Sequence, residues 1–336
     1  MELYEINEQL AGKTIFITGA TGLIGQNLIH TLVFNNKQLS KPIKVIAYVR
    51  SLDKAKKVFG NDYNEIEFIV GDISNQISVQ GQIDYIIHAA SQTSGRAFID
   101  QPINTINTSI AGTENVLELA KEKKVKKFIY LSTMEVYGSP STDEKISENH
   151  GTNLDTMTIR SCYPESKRVC ENLCVAYMKE FNVPVNIVRL TQTFGMGVNY
   201  NDGRVFAEFA RCVIEKKDIV LHTKGETKRN YLYTQDAVNA ILTVLVKGNS
   251  GQAYNAANED TYCSIYDMAQ MVAKKCANNE IKVIVNIEDE DKFGFAPTLK
   301  MNLDTTKLKA LGWNAEVGLE EAYKRMIASM REDITE

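Results

Sequence analysis

Short β-branched runs alternate with helix-period stretches through the first half of the chain. Residues 14–18, 44–49, 67–70, 85–88, 127–131 and 185–190 read as six strands. Between them, residues 23–33, 113–122 and 168–179 carry apolar positions at helical spacing. Strands that alternate with helices predict a parallel sheet covered on both faces. Right-handed crossovers make it a doubly wound α/β fold. After residue 191 the rhythm changes. Residues 195–203 and the charged stretch 223–230 read as loops, and 204–215 as an amphipathic helix. Residues 234–247 form a long apolar helix, with Thr234 expected as its cap. A helix at 264–275, a strand near 281–285 and a final helix near 319–330 complete the pattern. No repeat and no low-complexity linker interrupts it. The expected organisation is a dinucleotide-binding domain at 13–190 plus about 234–256, and a smaller, intimately packed C-terminal substrate lobe at 191–233 and 257–336.

The 336 residues suit about two domain-sized units. Apolar residues make up 44% and charged residues 24%, ordinary for a globular chain. Lys and Arg number 38 against 42 Asp and Glu, a net charge of −4. That balance excludes a broad basic surface for nucleic acid but leaves room for a local anion pocket. No apolar run approaches the ~20 residues of a membrane span. Residues 1–9 are polar and acidic, unlike a secretory signal, so a cytoplasmic protein is expected. The six cysteines lack C-x-x-C spacing and the four histidines are scattered, so neither a metal site nor a disulfide framework is expected.

Candidate chemistry begins at Thr18-Gly19-Ala20-Thr21-Gly22-Leu23-Ile24-Gly25, between the first strand and first helix. Glycines there let the chain turn sharply and let a pyrophosphate approach the backbone. The following helix offers free N–H groups to phosphates. Gly19, Thr21, Gly22, Leu23, Ile24 and Gly25 are therefore candidate dinucleotide contacts on a Rossmann sheet. The G-x-x-G-x-x-G spacing resembles the short-chain dehydrogenase/reductase superfamily. In that resemblance Asp72 and Ile73, after the third strand, lie beside adenine, and Ala89 and Ala90, after His88, let the cofactor lie against the backbone. NAD binders usually carry an acid at the end of the second strand; this chain has Arg50 there, suited to a 2′-phosphate. NAD or NADP is expected, with Arg50 favouring NADP.

Tyr163 and Lys167 are four residues apart and share a helix face, with Pro164 tolerated in the first turn. The neighbouring ammonium is expected to depress the tyrosine pKa, making it an acid–base group. Ser132-Thr133-Met134-Glu135-Val136-Tyr137-Gly138 follows the fifth strand. Together these motifs resemble the extended members of the superfamily, the nucleotide-sugar epimerases, dehydratases and decarboxylases, over roughly residues 13–330. Gly112-Thr113-Glu114-Asn115 and Leu311-Gly312-Trp313 belong to the same resemblance.

The resemblance implies catalytic roles for Thr133, Tyr163, Lys167 and Glu135, with Tyr163 and Lys167 also touching the cofactor. Met134 replaces an aspartate that 4,6-dehydratases carry, and a thioether donates no proton, so ordinary dehydration is not expected. The runs from Arg160 to Arg168, Asp202 to Val205, and Thr227 to Arg229 resemble UDP-glucuronate decarboxylases most. Ser91, Thr133, Glu135, Gln192, Arg204 and Arg229 are the implied substrate contacts, with Arg229 facing a carboxylate or phosphate. Ser109 and Gln192 stand where the family commonly has asparagine. The implied reaction is transient oxidation of a nucleotide-diphosphate sugar at C4, then decarboxylation; 4-epimerisation and 4-keto reduction are the alternatives, 4,6-dehydration ranks behind them, and a silent nucleotide sensor is a distant one. A homodimer through the Tyr-Lys helix is also implied, with no membrane and no nucleic-acid partner.

Overall fold

A computed structural model describes residues 2–287 and 298–335. The elements in chain order are α1 (Glu2–Leu10), β1 (Thr14–Thr18), α2 (Leu23–Asn36), β2 (Lys44–Val49), α3 (Leu52–Phe59), β3 (Glu67–Val70), β4 (Tyr85–His88), α4 (Gly95–Asp100), α5 (Pro102–Lys123), β5 (Lys127–Thr133), β6 (Lys145–Ile146), α6 (Cys162–Phe181), β7 (Val185–Leu190), β8 (Gln192–Phe194), α7 (Val205–Glu215), β9 (Ile219–Leu221), β10 (Lys228–Tyr233), α8 (Thr234–Lys247), β11 (Gln252–Ala256), β12 (Asn258–Ser264), α9 (Ile265–Met271), β13 (Val283–Val285), β14 (Lys300–Leu303), α10 (Thr306–Lys309) and α11 (Leu319–Thr335).

Seven strands form one sheet in the order β11-β7-β5-β4-β1-β2-β3, and every pairing in it is parallel. The inner strands are almost continuously buried, as a sheet covered on both faces requires. One apolar cluster, including Leu28, Leu32, Ile241 and Leu245, packs α2 and α8 on one face. Another, including Val116, Leu117, Cys170 and Cys174, packs α5 and α6 on the other. Strand order reverses between β1 and β4, the switch point at which such sheets open a crevice beyond their carboxyl ends.

A second sheet runs β12-β10-β14-β6, with β8 beside β10, and a small sheet pairs β13 with β9. Its cluster, built on Phe194, Phe206, Phe209, Tyr231 and Tyr323, lies between α7, α9 and α11.

Several expectations change. The helix expected at 113–122 begins at Pro102, whose missing N–H suits the first turn. The charged loop ends early, because Lys228 and Arg229 enter β10. Thr234 is not a cap: Tyr233 takes that position, and the Thr234 hydroxyl is buried without a partner among the described residues. It lies so close to Gly195 that a Cβ there would meet it at 2.5 Å. The capping box is instead at α9, where Ser264 and Asp267 bond reciprocally.

Candidate active site

At the switch point the backbone is packed against itself. Gly19 has φ +66°, and a Cβ on it would sit 2.6 Å from the main chain of Ala89 and Ala90. A Cβ on Gly25 would sit 2.2 Å from the Gly19 carbonyl. The turn closes through the Gly22 N–H donating to Gly19 O at 2.9 Å. Gly22 is the N-cap of α2 and supplies no side-chain bond, so the first-turn N–H groups face outward. Leu23 and Ile24 open that helix, and Thr21 and Gly22 lie towards solvent.

Ala89 and Ala90 are held by a directional chain of hydrogen bonds. The Ala90 N–H donates to Thr18 Oγ1 at 3.2 Å, and that hydroxyl meets His88 Nδ1 at 2.7 Å. His88 Nε2 lies 3.2 Å from Thr113 Oγ1, which gives its own proton to the Ser109 carbonyl at 2.7 Å. Thr113 must therefore accept from Nε2–H, leaving Nδ1 to accept from Thr18. Burial, with the Lys167 charge, keeps this imidazole neutral, its pKa pushed down to about 3. Beside the turn, Arg50 ends β2 exposed to solvent. Asp72 binds the Ser74 N–H at 2.8 Å and, through its carbonyl, the Tyr48 hydroxyl at 3.1 Å. Ile73 accepts from the Asn115 amide at 2.9 Å.

This cradle fits a dinucleotide. Two glycines stand where a Cβ has no room, and an open helix end follows them.

The second half of the site joins the end of β5 to the start of α6. Tyr163 and Lys167, on α6, are buried. Thr133, the last residue of β5, lies beside the Tyr163 hydroxyl, and its own hydroxyl accepts from the Glu135 N–H at 3.3 Å. Lys167 Nζ donates to the Leu131 carbonyl at 2.7 Å and lies 4.7 Å from the Tyr130 ring centroid. Burial lowers its pKa to about 8.

The expected depression of Tyr163 by Lys167 is not what the geometry gives. Burial holds the phenol well above its ordinary value, and Glu135 raises it further; Thr133 and the Arg160 and Arg204 charges oppose them. Lys167 Nζ is 6.0 Å from the Tyr163 ring centroid and spends a proton on main chain. Helical spacing sets which face two residues share, not how far desolvation outweighs a neighbouring charge.

Glu135 is gripped by Arg160, with Nη1–Oε2 at 2.7 Å and Nη2–Oε1 at 3.3 Å. Phe98 of α4 stacks on the Tyr163 ring at 4.4 Å, nearly parallel. Arg204 is held by Asp202, with Nε–Oδ1 at 2.9 Å and Nη2–Oδ2 at 2.5 Å. Gln192 and Arg229 lie on the adjacent strands β8 and β10 of the second sheet. The Arg229 Nε is buried with no hydrogen-bond partner among the described residues. The Ser91 hydroxyl donates to the Gln92 carbonyl at 3.2 Å. Met134 is buried, its sulfur accepting from the Thr191 hydroxyl at 3.3 Å.

Beneath the site, Arg189 grips Glu171 through Nε at 3.0 Å and Nη2 at 2.6 Å. Glu171 also accepts from Ser132 at 2.5 Å, tying α6 to β5 and β7. Phe98 and Arg189 carry no motif of their own. Only their folded neighbours reveal them.

No group of three metal-ligating side chains occurs among the described residues. None of their helices is long and apolar enough to cross a membrane.

Comparison with known proteins places the chain in a family. The chain is 30% identical over 324 residues to UDP-glucuronic acid decarboxylase 5 of Arabidopsis thaliana, covering 94% of this chain and 89% of that one. It is 29% identical over 324 residues to UDP-glucuronic acid decarboxylase 1 of Xenopus tropicalis, covering 96% and 73%. A UDP-glucose 4-epimerase from Thermotoga maritima, solved with UDP-glucose, superimposes with a TM-score of 0.82 at 22% identity, covering 96% of this chain and 99% of that one. The family model described as the NAD dependent epimerase/dehydratase family matches residues 15–257. A glycine turn built for a dinucleotide and a buried Thr133–Tyr163 pair beside Lys167 thus lie within the matched region, and the chain is an enzyme of the NAD dependent epimerase/dehydratase family.

Proposed function

We propose that the protein oxidises a nucleotide-diphosphate uronic acid at C4 and decarboxylates it, with UDP-glucuronate as the first substrate to test. The observation that carries this reading is the corner where Thr133, Glu135 and Tyr163 meet, with the guanidiniums of Arg160 and Arg204 acting on the phenol. The decarboxylase relatives support it.

Gly19, Gly22 and Gly25 would hold the pyrophosphate, and Ala89, Ala90, Tyr163 and Lys167 the nicotinamide end. The bound nicotinamide supplies a hydride acceptor for C4 and later returns the hydride.

Tyr163 takes the 4-hydroxyl proton while Thr133 orients that oxygen. The phenol must ionise from an elevated pKa, against which Thr133 and the Arg160 and Arg204 charges act only in part. Once C4 is a ketone, the acid at C5 is a β-keto acid. The C5–C6 bond breaks, CO2 leaves, and the electron pair moves to the C4 oxygen, where Thr133 and Tyr163 stabilise the enolate. A proton returns to C5. Glu135 would supply or relay that proton. Arg229, with its unpartnered Nε, would hold the substrate carboxylate or diphosphate, and Arg204, Gln192 and Ser91 would line the sugar.

At the adenosine ribose we propose NADP over NAD, because Arg50 is exposed at the end of β2 and no acid stands there. We also propose the two-lobe division given above, since the strands of the seven-stranded sheet fall within 14–256. A homodimer is supported by apolar Val169 and Val175, exposed on α6. We also propose a cytoplasmic site of action, from the polar, acidic residues 1–9.

The test is a proton NMR time course with UDP-glucuronate and either dinucleotide. UDP-xylose or a UDP-4-keto-pentose is the expected product. UDP-galacturonate would make the enzyme a 4-epimerase, and an unchanged spectrum from cofactor-loaded protein would sink the glucuronate reading.

A further inference from the structure

We propose that Arg160 is a positioning residue for Glu135, and that Arg160 and Phe98 together form the wall that fixes the acid side of the site. The proposal rests on the reading of Glu135 given above.

Two segments face each other here: the end of β5, bearing Thr133 and Glu135, and the entry to α6, bearing Arg160 and Tyr163. They are joined by two rungs. One is the approach of the Thr133 side chain to the Tyr163 hydroxyl. The other is the two-pronged Arg160–Glu135 pair, at 2.7 and 3.3 Å. Such a fork fixes both the direction and the plane of a carboxylate.

Phe98 closes the third side. Its ring stacks on Tyr163, and the Arg160 guanidinium lies 5.7 Å from its centroid. Its carbonyl accepts from the Cys162 thiol at 3.3 Å, pinning α4 to the residue before Tyr163. One guanidinium therefore touches both the acid and the ring that covers the base.

The pair is a poor candidate for a stability device. Its side chains are 36% and 27% exposed, and ion pairs at such sites contribute little. Without the fork, Glu135 would regain the rotamer freedom of a long, partly solvated side chain. Its negative charge would also act on Tyr163 with no cation beside it. Because Arg160 is occupied by an internal carboxylate, it is not the group that receives an anionic sugar. That task falls to Arg229, whose Nε has no partner among the described residues.

The test uses dinucleotide-loaded protein and UDP-glucuronate, comparing Arg160→Gln, Arg160→Lys, Glu135→Gln and the Arg160→Gln/Glu135→Gln double variant. Arg160→Gln is expected to lower kcat about 30-fold, within the range of a misplaced acid–base group, with KM changed less than about threefold. Arg160→Lys, which keeps the charge but not the fork, should recover about a third of the lost activity on a logarithmic scale. In the Glu135→Gln background, Arg160→Gln should add less than about a twofold loss, because the two act as one unit. Additive losses, or a loss confined to KM, would overturn the proposal.

A crystal structure of Arg160→Gln serves as a substrate-independent arm. The Glu135 carboxylate should leave its place by more than about 1 Å while Thr133 and Tyr163 keep theirs, a shift large enough to spoil catalytic alignment. An unmoved carboxylate would overturn the positioning role. If wild-type protein leaves UDP-glucuronate untouched, the function reading fails, and the crystallographic arm alone decides Arg160.

Discussion

Around the glycine turn main chain lies against main chain, with Gly19 and Gly25 allowing no Cβ between neighbouring strands and loops. At the opposite end of the chemistry, Arg160, Arg204 and Arg229 supply charge, two of them held by in-chain carboxylates and the third with an unpartnered Nε. The first region recognises by shape. A single added carbon ruins it. The second recognises by charge. Its side chains are longer and more exposed, so they tolerate substitution but shift selectivity when changed. A dinucleotide is the same molecule in every turnover of such an enzyme. The sugar is where related chains diverge, and side-chain charge is the easier thing to vary.

Changing the base that joins both regions should give the largest effect. Tyr163→Phe keeps the ring stacked on Phe98 and removes only the hydroxyl; kcat should fall about 1,000-fold while dinucleotide affinity stays within about threefold, read by turnover and calorimetry. Loss of dinucleotide binding would show that the hydroxyl belongs to the shape-recognising side.

On that side, Gly19→Ala places a Cβ 2.6 Å from the Ala89 and Ala90 main chain at φ +66°. Dinucleotide binding should weaken at least about 100-fold, a loss of about 2.7 kcal/mol by titration calorimetry. A fall of less than about threefold would remove the contrast between the two regions.

On the charged side, Arg229→Gln should raise KM for a carboxylate-bearing nucleotide sugar about tenfold with little change in melting temperature. A guanidinium with an unsatisfied buried Nε contributes little to stability. A KM that does not move would remove Arg229 from the substrate's path. Arg50→Ala should weaken NADP about fivefold and leave NAD unchanged, since an exposed guanidinium binds a phosphate only modestly. Equal effects on both would return the ribose end to shape recognition.

A further effect concerns stability and leaves the two recognition regions alone. His88 has a pKa near 3 in the fold against an ordinary 6.5. Below pH 6.5 the unfolded chain takes up a proton that the native imidazole refuses, so this stability is lost as pH falls from 6.5 towards 3. The slope is about 1.4 kcal/mol per pH unit for one group. Urea melts between pH 4 and pH 6, compared with His88→Asn, should differ by about that slope. Parallel curves would place the histidine's proton elsewhere.

Much of the cofactor half was legible because its determinants are local. The turn Gly19-Ala20-Thr21-Gly22 follows β1 and precedes α2 within one short stretch of chain. The Tyr163–Lys167 spacing and the start of α6 near Pro164 are likewise local. The rest depends on distant partners. β6 is only two residues long, and it exists because Lys145 and Ile146 pair with Asn302 and Leu303 of β14. The seventh strand, Gln252–Ala256, has weak alternation of its own and is placed by β7. Thr234 was a sound cap by composition, yet the backbone begins its helix one residue earlier than the side chain needs.

The sequence alone determined the alternation of strands and helices, the glycine spacing and the shared face of Tyr163 and Lys167, because each follows from backbone periods of a few residues. Only the tertiary structure decided that Arg160 grips Glu135 across 25 positions of sequence, that Phe98 covers Tyr163, and that burial raises the phenol instead of Lys167 lowering it. Desolvation and ion pairing depend on what packs around a group, and no short stretch of chain carries that information.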